Sequence, residues 1–107
     1  MNLKEDIYKI MDDKQCIDIV TINFVNKSPF LDHFLIGTVR NARMANAVIE
    51  AIEEYADNNA IHVKSISNNK ESGWFLIDIG SIVIHIFTPE DRAKYDIEGL
   101  WKEMIEK

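Results

Sequence analysis

Apolar residues return at helical spacing as soon as the chain begins. Leu3, Ile7, Ile10 and Met11 share one face, and Asn2 with Glu5 resembles a capping box, which predicts a helix over 2–13. Ile17 to Val25 is nearly continuous in apolar and β-branched residues, the pattern of a strand buried on both faces. Asn26-Lys27-Ser28-Pro29 reads as a turn, and Phe30 to Ile36 as a second strand. The period changes to 3.6 between Asn41 and Asp57, where Met44, Val48, Ala51, Ile52 and Tyr55 form one stripe. Glu50, Glu53, Glu54 and Asp57 face away from it, as a solvated helix face does; an acidic docking surface is the sharper alternative. Ala56-Asp57-Asn58-Asn59 ends the helix and Ile61 to Ile66 resumes as a strand. A strand, a helix of this length and a strand predict a parallel, right-handed crossover.

A polar loop, Ser67 to Gly73, leads into the clearest local signal. Residues 74–79 and 82–87 flank Gly80-Ser81, a pair suited to a two-residue type II′ hairpin turn. The predicted register sets 79 against 82, 78 against 83, 76 against 85 and 74 against 87. One face then holds Phe75, Ile77, Ile79, Ile82, Ile84 and Ile86, wholly apolar and therefore core. The other holds Trp74, Leu76, Asp78, Val83, His85 and Phe87, a mixture of large apolar groups with a carboxylate and an imidazole. Thr88-Pro89-Glu90-Asp91 starts a helix, with a hydroxyl N-cap, Pro at the first position and acids in the first turn. Asp96 is placed to cap a last helix with the stripe Ile97, Leu100, Trp101, Met104 and Ile105. The predicted architecture is α/β: a single domain over 1–107, a mixed five-stranded sheet with flanking helices in a nucleotidyltransferase-like layout.

The length of 107 residues suits one domain, and no repeat or linker divides it. No apolar run reaches the roughly 20 residues of a membrane helix, and the first residues do not read as a signal peptide. With a single cysteine, the cytoplasm is the expected compartment, and Cys16 beside Ile17 reads as a small buried hydrophobe. Twelve Lys and Arg against eighteen Asp and Glu give a net charge of −6. That sign argues against phosphate-led nucleic-acid binding and against an anionic membrane surface, and favours a basic partner.

Candidate chemistry is sparse. His33, His62 and His85 lie far apart with no second Cys, so a zinc site is not expected, and Gly37 belongs to no phosphate-binding loop. A nucleotidyltransferase-like fold raises the question of a two-metal carboxylate pair. Only Asp96-Ile97-Glu98 has the spacing, at a helix start rather than on a strand. Asp78 and His85 share a hairpin face, diagonally about 7–8 Å apart, with no nucleophile beside them. The residues predict no enzyme, no cofactor and no metal.

Several segments together resemble the Iojap family, also called the ribosomal silencing factor S family. They are Asp18-Ile19-Val20 leading to Asn26-Lys27-Ser28, then Leu31-Asp32-His33-Phe34-Leu35-Ile36-Gly37-Thr38 and the helix that follows it. Gly73-Trp74-Phe75-Leu76-Ile77-Asp78-Ile79-Gly80 with Val83-Ile84-His85-Ile86-Phe87 carries the most specific part. Pro89-Glu90, Arg92, Tyr95-Asp96-Ile97-Glu98 and Leu100-Trp101 complete it. The chain departs from the family at Asn26, usually Gly, at Pro29, usually a small hydroxyl residue, and over Val39 to Arg43. The resemblance implies a factor that docks on the large ribosomal subunit through its basic ribosomal protein fourteen. Docking there blocks subunit joining and represses translation, notably under nutrient limitation. A homodimer of the free protein is also implied. Binding would fall to the mixed hairpin face and the adjoining segment. Trp74 is the aromatic anchor, Asp78 and His85 are polar contacts beside it, and Arg92 and Tyr95 come from the family motif; Trp101 is assigned to core packing. The alternatives are a diverged nucleotidyltransferase-like enzyme and a dimeric adaptor for another basic protein.

Overall fold

A computed structural model describes residues 2–68 and 73–106. Its elements are α1 (Leu3–Asp13), β1 (Ile17–Asn23), β2 (His33–Thr38), α2 (Ala42–Asn58), β3 (Ser65–Asn68), β4 (Trp74–Asp78), β5 (Ile82–Phe87), α3 (Pro89–Tyr95), α4 (Ile97–Leu100) and a closing 3-10 turn, Lys102–Met104. The first helix is capped at Asn2 as its sequence predicts, and the second proves to be capped at Asn41. The Asn2 side chain accepts from the Glu5 N–H, and the Asn41 side chain from the Met44 N–H.

The five strands form one sheet in the order β1-β2-β5-β4-β3. Only β2 and β5 pair in parallel; the other neighbours are antiparallel. The strands on either side of α2 do run the same way, but β5 and β4 lie between them. The β4–β5 hairpin has the expected register, with Trp74 opposite Phe87, Leu76 opposite His85 and Asp78 opposite Val83. The Ile79 N–H donates to the Ile82 carbonyl across the turn, and Gly80 takes a φ of +94° that a residue with a Cβ adopts only under strain.

Isoleucine alternation gives the sheet its first buried face. Phe75, Ile77, Ile79, Ile82, Ile84 and Ile86 meet Ile7 and Met11 of α1 and Ala45, Val48, Ile49 and Ile52 of α2. Glu50, Glu53, Glu54 and Asp57 are exposed on the far side of α2. The second face is covered only in part. There Ile22, Phe24, Ile36 and Phe87 are closed over by Ile97, Met104 and Ile105 from the C-terminal segment.

Four stretches differ from the sequence reading, each for a local reason. β1 is an edge strand, not one buried on both faces: a bulge between Ile17 and Val20 interrupts its pairing, and Ile17 is 55% exposed. β2 starts at His33 rather than Phe30, because the Ser28 hydroxyl accepts from the Phe30 and Leu31 N–H groups and holds that stretch in a turn. Phe30 is left 87% exposed. β3 starts at Ser65 rather than Ile61, since Ile61 and Val63 pack on the core without joining the ladder. The polar loop expected over 67–73 therefore contributes Ser67 and Asn68 to β3, and its residues 69–72 fall outside the described part.

The fourth difference is the last helix, which starts after Asp96 as expected but breaks at Trp101 into the short α4 and the closing 3-10 turn. Asp96 adopts the left-handed conformation and stops α3, and the four-residue α4 follows. Ile97, Met104 and Ile105 turn inward, whereas Leu100 is 71% exposed. Trp101, expected in the core, is 38% exposed and touches Phe24 edge-on at 5.1 Å between centroids. The broken segment is tied down by charge. Arg92 donates from Nε and Nη2 to the two oxygens of Glu98, at 2.7 and 3.0 Å, and from Nη1 to the buried Thr38 hydroxyl at 2.8 Å. At its far end Glu106 takes Lys4 at 3.0 Å and His33 at 3.0 Å.

Three stability outcomes follow from this arrangement. Ile84→Ala should cost about 2–5 kcal/mol in urea unfolding, as a void under a central strand does. Glu54→Ala, on the solvated face of α2, should stay within about 0.5 kcal/mol. The hydrogen bonds from Arg92 hold the Glu98 carboxyl below its ordinary value of 4.5, outweighing its partial burial. A depressed carboxylate stabilises the fold above its unfolded pKa and loses that contribution as pH falls through the folded value. Glu98→Gln should therefore destabilise by about 1–2 kcal/mol at pH 7, and the gap to wild type should close on acidification below pH 4.5.

Candidate aromatic docking surface

The site is built on the hairpin. Alternation places Trp74, Leu76, Asp78, Val83, His85 and Phe87 on the second face of the sheet, and strand order brings Phe34 of β2 beside β5. Two hydrogen bonds at the Gly73 backbone, one to a main-chain and one to a side-chain group, then bring α3 back over this face. The Thr88 N–H donates to the Gly73 carbonyl at 2.8 Å, and the Gly73 N–H to Asp91 Oδ2 at 2.7 Å. Contact is so close there that a Cβ on Gly73 would run into the Thr88 hydroxyl and the Asp91 carboxylate. Tyr95, at the end of α3, is thereby carried to Trp74.

The aromatic groups form a stack of short steps. Trp74 lies 4.7 Å from Tyr95 and 5.3 Å from Phe87 between ring centroids, the latter pair nearly parallel at 30°. Its indole N–H donates to His85 Nδ1 at 3.1 Å. Phe34 meets the imidazole edge-on at 4.5 Å. Lys94 Nζ sits 5.4 Å over the Tyr95 ring. Trp74, Leu76 and Val83 are half-buried and Tyr95 is 38% exposed, so apolar surface reaches solvent.

Of the five residues singled out in the sequence, the structure brings three together. Trp74, His85 and Tyr95 share one cluster. His85 is a floor group rather than a presented one: it is 4% exposed, and burial pushes its imidazole down to about 4. That corrects the expectation of a polar contact open to a partner. Asp78 lies at the other end of the hairpin from Trp74, about 13 Å along the strand at ordinary rise. One of its oxygens accepts from the Gly80 N–H at 2.8 Å, which helps to set the turn. Arg92 is directed to Thr38 and Glu98 and serves the packing of α3 and α4. Leu76 and Val83 were on the mixed face but outside the sequence-derived site, although the register alone placed Leu76 opposite His85. The pairing of Arg92 with Glu98 had no signal in the sequence, because it depends on the chain reversal at Asp96.

Cys16 belongs to the core on the opposite face, where burial, aided by the nearby Asp12, pushes its thiol up to about 11 and disfavours the thiolate. Among the described residues, no group of three or more His, Cys, Asp or Glu is arranged to hold a metal ion. No described helix is long and apolar enough to cross a membrane.

Comparison with known proteins agrees with the resemblance. The family model described as "Ribosomal silencing factor during starvation" matches residues 2–107. The ribosomal silencing factor RsfS of Bacillus subtilis is 34% identical over 90 residues, 84% of this chain and 76% of that protein. A mouse protein named mitochondrial assembly of ribosomal large subunit protein 1 is 30% identical over 88 residues, 78% of this chain and 38% of its own length. The fold is similar to a crystal structure of a Bacillus halodurans protein with a TM-score of 0.83 at 28% identity, covering 98% of this chain and 96% of that one. A shared fold, a relative 34% identical and a family match over residues 2–107 lead to one assignment: the chain belongs to the ribosomal silencing factor family, whose members are not enzymes.

Proposed function

We propose that this protein docks on the large ribosomal subunit through ribosomal protein fourteen and sterically blocks subunit joining, lowering translation when nutrients are short. The observation that carries the reading is the Trp74–Tyr95 cluster on the sheet face that the C-terminal segment leaves open. Aromatic groups that are half-buried, rigidly packed and flanked by apolar residues are the usual centres of interface energy. Trp74 and Tyr95 are the anchors in this reading, with Leu76 next along the same face and Val83 beside Asp78 at the far end of the hairpin; Asp78 offers its second oxygen to a basic side chain, and His85 and Arg92 act from within. A net charge of −6 supports a basic protein partner and steers the encounter, while giving little attraction for RNA phosphates. The reading places the protein in the cytoplasm, acting by binding as one domain over 1–107, with a homodimer as the free form.

Co-sedimentation with isolated large subunits, small subunits and whole ribosomes tests this. The protein should pellet with large subunits alone and prevent joining when small subunits are added afterwards. Trp74→Ala should stay folded and weaken large-subunit binding by about 2 kcal/mol, roughly 30-fold. Equal pelleting with both subunits, or joining that proceeds despite bound protein, contradicts the mechanism.

A further inference from the structure

We infer that His85 is the positioning residue of this docking surface, its Nδ1 acting as the fixed acceptor that pins the Trp74 indole in one orientation. The inference rests on the docking reading above and adds what prepares the surface for its partner. Tryptophan has a single hydrogen-bond donor, and here it is committed inward, 3.1 Å from His85 Nδ1. Trp74 therefore meets a partner through its ring carbons rather than through its N–H.

For Nδ1 to accept, it must carry no proton, so the neutral ring holds its hydrogen on Nε2. That atom is buried and has no hydrogen-bond partner among the described residues. A buried donor left unpaired is unfavourable, and a side chain present only to fill space would avoid it. The polar nitrogen that does have a role is the one facing Trp74. Its surroundings keep it available: Phe34, Phe87 and Trp74 enclose the ring, and burial favours the neutral form near neutral pH. An indole tethered at one end and stacked on Phe87 and Tyr95 enters a complex with its orientation already set. Preorganisation of one such side chain is worth about 2- to 10-fold in affinity.

The test uses the intact protein and two variants. Asn at this position offers an oxygen close to where Nδ1 sits; Leu offers none. In nitrogen–proton NMR, with the Trp101 signal identified through Trp101→Phe, wild type and His85→Asn should show a Trp74 indole proton that exchanges slowly with water. His85→Leu should show fast exchange and bind large subunits about 2- to 10-fold more weakly, with His85→Asn restoring both. Slow exchange retained in His85→Leu overturns the inference, as does fast exchange with unchanged binding. Should His85→Leu fail to fold, long-range imidazole correlations in the wild type decide alone: a proton on Nε2 upholds the arrangement and one on Nδ1 overturns it. Wild-type protein that ignores large subunits overturns the docking reading and the positioning role with it. That failure is distinct, because the indole and imidazole signals of the free protein remain as described.

Discussion

Strand β5 is hydrogen-bonded on both sides, to β2 in parallel and to β4 through the Gly80-Ser81 turn. Its register decides which side chains go to which layer. Ile82, Ile84 and Ile86 go under α1 and α2, and Val83, His85 and Phe87 go to the opposite face. Because side chains alternate, a slip of one residue would drive the imidazole into the main core and expose three isoleucines. The aromatic surface is therefore a by-product of the same alternation that builds the core, and neither can be shifted without the other.

The remaining elements adjust to that constraint. The two long helices cover the isoleucine face completely, whereas α3, α4 and the closing 3-10 turn reach only the β1, β2 and β5 side of the other face. A longer, unbroken last helix would have lain differently. The left-handed residue at Asp96 and the Arg92–Glu98 pair fold the segment back instead, so that it covers Ile22 and Ile36 and leaves the surface beside β4 accessible. Coverage and exposure on this face thus follow from the turn at Asp96 and from the ion pairs that anchor the segment at both ends.

Local chemistry decided what the sequence disclosed. The hairpin was legible because a two-residue turn and strict alternation determine every cross-strand pair, and so was the meeting of Trp74 with His85 on one face. The helix start at Asn2 was legible for the same reason, since a cap acts over three residues, whereas the start near Asn41 was read from the change of period alone. Strand order was not, since β1 and β3 as edges and the insertion of β5 beside β2 depend on contacts far apart in the chain. Ile61 and Val63 misled because apolar residues are buried as readily beside a sheet as within it. Tyr95 on Trp74, and Arg92 turned toward Glu98 and Thr38, rested on the path after Pro89, which no local pattern specifies.

The C-terminal segment also meets the outer side of β1. Ile105 forms an antiparallel bridge with Ile22, and the Glu106 N–H donates to the Thr21 carbonyl at 2.8 Å. An edge strand with open backbone groups is a template onto which another chain can add, and β-branched residues such as Ile17, Ile19, Val20 and Ile22 would suit such growth. Here the bulge distorts one end of that edge and residues 105–106 occupy the other. Among the described residues the edge at β3 spans four residues, with serines at 65 and 67. The segment that shapes the aromatic face thus also covers part of the β1 edge, and weakening its anchors would open that edge to strand addition.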